Sequence, residues 1–339
     1  MSIGKLLYIG NKLSKKGSTI TSIETLGGLL TQEGYTVYMA SSVRNKYFRL
    51  LDMLWKTLRY SRRVQVVLID TYSTQNFLYA VAVANLCRLL HLPYIPILRG
   101  GDLPRRLKKS KAASYKLFNG AVSNVAPSMY LYEGFKAEGY TNLTYIPNTL
   151  EIEKYPFFER EKPKLQLLWV RSFAAIYNPL MAIKVVEILT ARGFSPSLCM
   201  VGPEKDSSLQ ECIKLATSRQ LDVSFKGMLT KEEWISLSRD YDIFINTTNF
   251  DNTPVSVMEA MALGLPIIST NVGGIPYLIE DQIDGLLVPP EAPELFANAI
   301  QEVFSDAHKA LSLSRKARIK AESFDWQKIK HSWNTLLNH

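Results

Sequence analysis

Short apolar runs alternate along this chain with longer segments whose apolar positions recur every three or four residues, the rhythm of buried strands joined by helices. In the first half, runs at 5–9, 35–40, 64–70, 93–98, 121–126 and 143–146 predict strands, and 20–33, 74–90 and 128–138 predict helices. In the second half, strands are predicted at 165–170, 196–201, 222–226, 241–246, 266–270 and 284–288. Helices are predicted there at 179–192, 207–219, 231–240, from Pro254 to about Gly264, and at 293–304 and 308–323. Phe324, Trp326, Ile329, Trp333 and Leu336 then fall on one helical stripe. Two successive strand and helix series predict an α/β protein with two Rossmann-like domains, at 1–158 and 159–322, followed by a terminal helix at 323–339. The charged segment 151–163, with two prolines, reads as the linker between them.

The loop after the first strand lacks the GxGxxG fingerprint, which counts against a dinucleotide-dependent dehydrogenase. No apolar run approaches the roughly 20 residues of a spanning helix, and the N-terminus lacks a signal peptide's pattern, so a cytoplasmic protein is expected. Cys87, Cys199 and Cys212 are far apart, and His91, His308, His331 and His339 form no cluster. Neither a zinc site nor a Ser/His/Asp triad is suggested.

Charge changes the picture. Residues 1–160 hold 22 Lys and Arg against 10 Asp and Glu, whereas 161–339 hold 18 against 21. The first half is therefore expected to face something anionic: nucleic acid, a membrane surface or a phosphorylated acceptor. No nucleic-acid motif is visible, and that reading leaves the second half unexplained. Within 44–63, Tyr47, Leu50, Leu51, Leu54, Trp55 and Leu58 recur at helical spacing among seven cations. This is either a basic amphipathic helix lying on an anionic bilayer or a Rossmann helix with its apolar stripe on the sheet. A second cationic cluster at 105–116 is a solvated helix face or a receiver for a diphosphate-bearing acceptor.

The richest stretch is NFDNTPVSVMEAMALGLPIISTNVGGIP, at 249–276. A polar loop leads to a helix beginning near Pro254, whose fixed φ suits the first turn, so the amides of Val255 and Ser256 point outward as an anion site. Glu259 is a lone carboxylate among apolar and small residues. Gly273 and Gly274 mark a tight turn or a close backbone approach.

With Asp251 eight positions before Glu259, this stretch resembles the donor-site signature of family 4 glycosyltransferases. The family pattern has glutamate at both places, so Asp251 is one methylene short. The resemblance implies the GT-B fold, two facing Rossmann-like domains with the last helix crossing back to the first. It further implies transfer of a sugar from a UDP- or GDP-type nucleotide sugar with retention of configuration, using neither metal nor a separate cofactor. The acceptor implied is a glycan or a polyprenyl-diphosphate-linked sugar in cell-envelope polysaccharide synthesis. Segments 44–63 and 105–116 become candidate contacts with the inner membrane face.

Carried onto this chain, the resemblance gives Arg171 the donor diphosphate; the lysine expected five positions later is Ile176, with Tyr177 and Asn178 as candidate substitutes. Asp251 meets sugar hydroxyls with Asn252 and Thr253, Pro254 to Ser256 meet phosphate, and Glu259 meets a ribose diol. Gly202, Met228 and Leu229 border the nucleoside, while Gly17 and Ser18 lie near the donor phosphates. Arg99 stands about where relatives carry a histidine beside the sugar, and Arg99 and Asp102 are the candidates for contacting it. Pro147, Asn148 and Thr149 resemble the interdomain turn. Two alternatives remain: a sugar-nucleotide epimerase or hydrolase of related fold, and a non-catalytic nucleotide- or glycan-binding subunit.

Overall fold

Strands and helices alternate as the hydrophobic rhythm predicts, in a computed structural model that describes residues 3–13 and 21–338. The first unit comprises Met1–Pro147 and Lys330–His339, the second Asn148–Ile329. The first contains β1 (Lys5–Ile9), α1 (Ser22–Gln32), β2 (Thr36–Ala40), α2 (Lys46–Tyr60), β3 (Val66–Thr71), α3 (Asn76–Leu89), β4 (Tyr94–Leu98), α4 (Leu103–Lys109), α5 (Lys111–Asn119), β5 (Asn124–Ala126), α6 (Met129–Ala137) and β6 (Leu143–Tyr145). Its six parallel strands run in the order β2-β1-β3-β4-β5-β6. Phe118 packs edge-on against Phe135 at 4.8 Å in the core beneath.

The second unit contains β7 (Gln166–Val170), α7 (Pro179–Ala191), β8 (Ser197–Val201), α8 (Ser208–Ser218), β9 (Val223–Gly227), α9 (Lys231–Leu237), β10 (Ile243–Asn246), α10 (Val255–Ala262), β11 (Ile267–Thr270), α11 (Ile275–Leu278), β12 (Leu286–Val288), α12 (Pro293–Ser305) and α13 (Ala307–Glu322). Its sheet runs β12-β11-β10-β7-β8-β9, again all parallel. Leu167 and Trp169 enter one core and Leu168 the other, because alternate side chains leave opposite faces and helices cover both. The final helix, α14 (Trp326–Leu337), belongs to the second unit up to Ile329 and to the first from Lys330. Within the first unit, Lys330 pairs with Glu33 at 3.3 Å, Tyr35 Oη donates to Asn334 at 3.2 Å, and Gln65 Nε2 donates to the Leu337 carbonyl at 2.9 Å.

Segment 151–163 is more than a linker. Leu150 and Tyr155 are buried in the second unit's core. Arg160, also buried, donates to the carbonyls of Tyr241 (2.7 Å), Phe158 (2.9 Å), Leu263 (3.2 Å) and Ser238 (2.7 Å). Burial lowers its pKa to about 10, which leaves it charged at neutral pH. The unit therefore begins at Asn148 rather than near 159. Composition conceals this, because a lone arginine reads as solvated until its carbonyl partners are known. The cationic stretch 105–116 spans two helices, separated where Ser110 leaves helical geometry at φ −128°, ψ 48°.

In helix α2 the predicted apolar residues divide, Leu50 and Leu54 being half-buried with Leu54 against the core while the others face outward. Its inward side carries Arg49, Met53 and Thr57, while Tyr47, Leu51, Trp55 and Leu58 are exposed. Arg49 fixes this rotation by donating to the carbonyls of Val43 (2.7 Å) and Arg44 (2.8 Å) and to Asn11 Oδ1 (3.1 Å).

Replacing Arg160 by leucine leaves four inward-facing carbonyls without their donor. Arg160→Leu is expected to destabilise the second unit by about 3 kcal/mol, the scale for breaking a buried charged hydrogen-bond set. Thermal unfolding checks this; a loss under about 1 kcal/mol would show that the carbonyls find other donors.

Candidate active site

Strand order in the second sheet reverses between β7 and β10: β8 and β9 extend to one side, β11 and β12 to the other. Connections leaving β7 and β10 therefore diverge, and the carboxyl ends of these two strands open a crevice. Arg171 directly follows β7, and the loop 247–254 directly follows β10. Side chains 80 positions apart in sequence are thereby brought into contact: Arg171 Nη2 forms an ion pair with Asp251 Oδ2.

Arg171 is held from several sides. Its guanidinium lies over the Tyr177 ring at 4.2 Å, and its backbone N–H donates to the Val201 carbonyl at 3.0 Å. Burial lowers its pKa, opposed by Tyr177. Gly202 ends β8 against it at φ +149°, where a Cβ would run into the Arg171 carbonyl. Met228 is exposed just beyond β9, and Leu229 packs against the core.

Threonine hydroxyls fasten the loop that carries Asp251. Trp169 Nε1 donates to Thr247 Oγ1 at 3.1 Å, and Thr247 Oγ1 donates to the Asn178 carbonyl at 2.9 Å. Thr248 Oγ1 donates to the Phe250 carbonyl at 2.9 Å, and Thr270 Oγ1 to the Thr248 carbonyl at 2.5 Å. Asn252 N–H donates to Asp251 Oδ1 at 2.8 Å. Asn148 Nδ2 reaches the Thr253 carbonyl at 3.5 Å. The glycine pair supports the same loop: Gly274 N–H donates to the Asp251 carbonyl at 2.9 Å, and a Cβ on Gly274 would meet the Asn252 carbonyl. The close approach signalled by Gly273 and Gly274 is thus made by the Asp251–Asn252 backbone itself.

Pro254 is the N-cap of α10, one place earlier than the first-turn position expected, with φ −70° and ψ 118°. No side chain caps this end, so the amides of Val255 and Ser256 have no intrahelical acceptor. Arg171 Nε and Ser256 Oγ are both buried without a hydrogen-bond partner in the protein. An unpartnered guanidinium nitrogen, an unpartnered hydroxyl and an uncapped helix start are each groups that an anion can satisfy.

Glu259 is buried on α10, where burial raises its pKa and Lys231 opposes the rise. Lys231 Nζ forms an ion pair with Glu259 Oε1, and Tyr155 Oη donates to the same oxygen at 2.9 Å. Neither partner belongs to a local motif; Tyr155 lies 104 positions away, and only the folded chain reveals it. Where the resemblance expects a lysine, Ile176 is 48% exposed, and its carbonyl accepts from Asn249 N–H at 2.9 Å. Tyr177 lies under Arg171, and Asn178 Nδ2 donates to Asn249 Oδ1 at 3.1 Å, so both brace the loop.

The remaining candidates belong to the first unit. Arg99, at the end of β4, pairs with buried Asp70 at 3.1 Å and donates to Tyr8 Oη at 3.3 Å, while Tyr8 Oη donates to Asp70 at 2.9 Å. Burial raises the Asp70 pKa, and Arg99 opposes it. Asp102 is exposed at the start of α4 and makes no side-chain cap. Gly17 and Ser18 lie outside the described residues. Among the described residues, no group of His, Cys, Asp and Glu is arranged to hold a metal, and no helix is long and apolar enough to cross a membrane.

Residues 151–320, half of the chain, match the family described as Glycosyl transferases group 1. Over 186 residues the chain is 27% identical to a D-inositol 3-phosphate glycosyltransferase of Paenarthrobacter aurescens, covering 51% of this chain and 45% of that protein. Over 276 residues it is 26% identical to the amylovoran biosynthesis glycosyltransferase AmsK of Erwinia amylovora, covering 73% and 65%. The matched stretches thus span less than two thirds of these relatives' own length. Among solved structures, Anabaena Alr3699/HepE in complex with UDP and glucose superposes with a TM-score of 0.77 at 16% identity, covering 99% of both chains. Sucrose-phosphate synthase from Thermosynechococcus elongatus gives 0.81 at 14%, covering 99% and 98%. At such identities the likeness concerns the fold, which is GT-B with two Rossmann-like units.

Lys231 is 41% exposed while the carboxylate it neutralises is buried. In Lys231→Met, Glu259 loses its countercharge and its folded pKa rises further above the unfolded value. The folded state then retains a proton that the unfolded state releases, so stability is lost as pH rises through the folded pKa. Relative to the parent, the variant should be nearly neutral at about pH 5 and weaker by roughly 1–3 kcal/mol at about pH 8, discounted for the exposed lysine. Adding Glu259→Gln should flatten that difference; thermal midpoints across pH provide the check.

Proposed function

Because the chain belongs to the group 1 glycosyl transferases, we propose that it moves a sugar from a nucleoside diphosphate to an acceptor hydroxyl with retention of configuration. The donor is of UDP or GDP type, and the acceptor is a glycan or polyprenyl-diphosphate-linked sugar of cell-envelope polysaccharide synthesis. The reading needs no metal and no cofactor beyond the nucleotide sugar, and it places the protein in the cytoplasm. One observation carries it: Arg171 pairs with Asp251 in the loop that leads into the uncapped start of α10, and Arg171 Nε and Ser256 Oγ are each buried without a partner.

Breaking the bond between the anomeric carbon and the diphosphate leaves negative charge on phosphate and oxocarbenium character on the sugar. Preorganised donors lower that barrier most where they need not reorganise. Arg171, stacked on Tyr177, is such a donor, and its unpartnered Nε can meet a phosphate oxygen while Nη2 stays near Asp251. A pyrophosphate competes with Asp251 for the guanidinium, which turns the Asp251 carboxylate toward sugar hydroxyls, assisted by Asn252 and Thr253. The amides of Val255 and Ser256 add the helix-end dipole. Glu259, an acceptor when ionised, meets the ribose diol. Gly202, Met228 and Leu229 border the base. Departure of the diphosphate and attack of the acceptor occur on one face of the sugar, with a donor phosphate oxygen taking the acceptor proton. In this reading Arg99 and Asp102 are candidates for contacting the sugar, and Gly17 and Ser18 for the donor phosphates.

Arg171→Ala should lower turnover by two to three orders of magnitude, roughly the loss of one oxyanion donor, with folding intact by circular dichroism. Near-normal turnover would reject the role. Thermal shift with UDP, GDP and ADP should single out one base, since a ligand at 100 times its Kd adds about 2.7 kcal/mol. In Glu259→Gln that ligand should bind roughly tenfold more weakly by calorimetry, as expected for loss of a charge-assisted hydrogen bond. Donor consumption without an acceptor would instead indicate a hydrolase or epimerase, and nucleotide binding without turnover a non-catalytic subunit.

A further inference from the structure

Outside the candidate site, the first unit carries an apolar surface that its own fold leaves uncovered. On α2, Tyr47 is 83% exposed, Phe48 64%, Leu51 59%, Trp55 56% and Leu58 56%. Tyr47, Leu51, Trp55 and Leu58 follow one another at spacings of four, four and three, so they form one stripe along the helix. The stripe cannot turn inward, because Arg49 on the opposite side is buried and bonded to Val43, Arg44 and Asn11. The N-terminus is pinned too: Asn45 Oδ1 accepts from the amides of Tyr47 (3.0 Å) and Phe48 (3.3 Å).

Cations border the stripe. Lys46, Arg59, Arg62 and Arg63 are exposed and make no ion pair among the described residues. Arg59 lies over the Trp55 ring at 5.5 Å. The one acidic residue of the helix, Asp52, is taken up by Lys56 at 3.2 Å. Helix α3 packs between α2 and α5, and α5 adds exposed Tyr115, Lys111 and Lys116 to the same helical layer.

We propose that this outward face of α2 docks on an anionic lipid bilayer, with Tyr47, Leu51, Trp55 and Leu58 entering the headgroup boundary and Lys46, Arg59, Arg62 and Arg63 contacting lipid phosphates. Aromatic and aliphatic side chains flanked by cations with long apolar stems are the chemistry an interfacial helix uses. Charge selects this occupant over a second copy of the chain, since two such faces would bring like charges together.

Flotation of the full chain with vesicles tests the proposal. The protein should float with mixed phosphatidylcholine and phosphatidylglycerol, remain behind with phosphatidylcholine alone, and be released as salt shortens the screening length. Arg59→Gln, Arg62→Gln and Arg63→Gln together should lower partitioning roughly a hundredfold, at about fivefold per cation. Leu51→Ser with Trp55→Ser should lower it at least tenfold by roughly the apolar area withdrawn. All five positions are exposed, and unchanged thermal midpoints confirm folding. The proposal is overturned by absence of flotation, by equal flotation with neutral vesicles, or by serine variants that partition like the parent. A concentration-dependent dimer that Trp55→Ser abolishes would assign the face to a second copy instead.

Discussion

The reversal of strand order between β7 and β10 is the constraint from which the candidate site follows. Parallel strands need crossover helices, and where successive crossovers depart in opposite directions the carboxyl edge of the sheet stays open. Arg171 and Asp251 meet across that gap. Each alone would be an awkward group to bury, and together they compensate one another. The surrounding threonine hydroxyls and the glycine pair have no evident chemistry of their own. They fasten the loop that keeps Asp251 against Arg171.

The first sheet repeats the design with another balance. Its order reverses between β1 and β3, and there Tyr8, Asp70 and Arg99 form a buried, mutually satisfied cluster. Arg171 retains an orphan nitrogen, whereas Arg99 is spent on its neighbours within the fold. Two similar sheets thus treat an arginine at a strand end differently: both pair it with a carboxylate, but one leaves its Nε without a partner.

Much of this was legible before any coordinates. The alternation of short apolar runs with helical periods located the strands within a few residues, because strands buried on both faces leave continuous apolar signatures. The stretch at 249–276 was legible because Pro254 and the glycines answer to local backbone chemistry, while Asp251 and Glu259 stood out through the family resemblance. What the sequence concealed was long-range. Nothing near Glu259 announces Lys231 or Tyr155, and nothing near Arg160 announces the four carbonyls it serves. The rotation of α2 was equally hidden, since periodicity shows that a stripe exists but not which side the sheet will take. That choice fell to Arg49, a residue composition alone would have placed in solvent.

The chain leaves the first unit after Pro147 and returns to it at Lys330. On a ribosome, the returning segment emerges only after the whole second sheet has been made. Until then Tyr35, Gln65 and Glu33 lack the partners that α14 brings them. The lobe synthesised earliest is therefore the one finished latest, and the intervening lobe can mature as an uninterrupted segment while its neighbour waits.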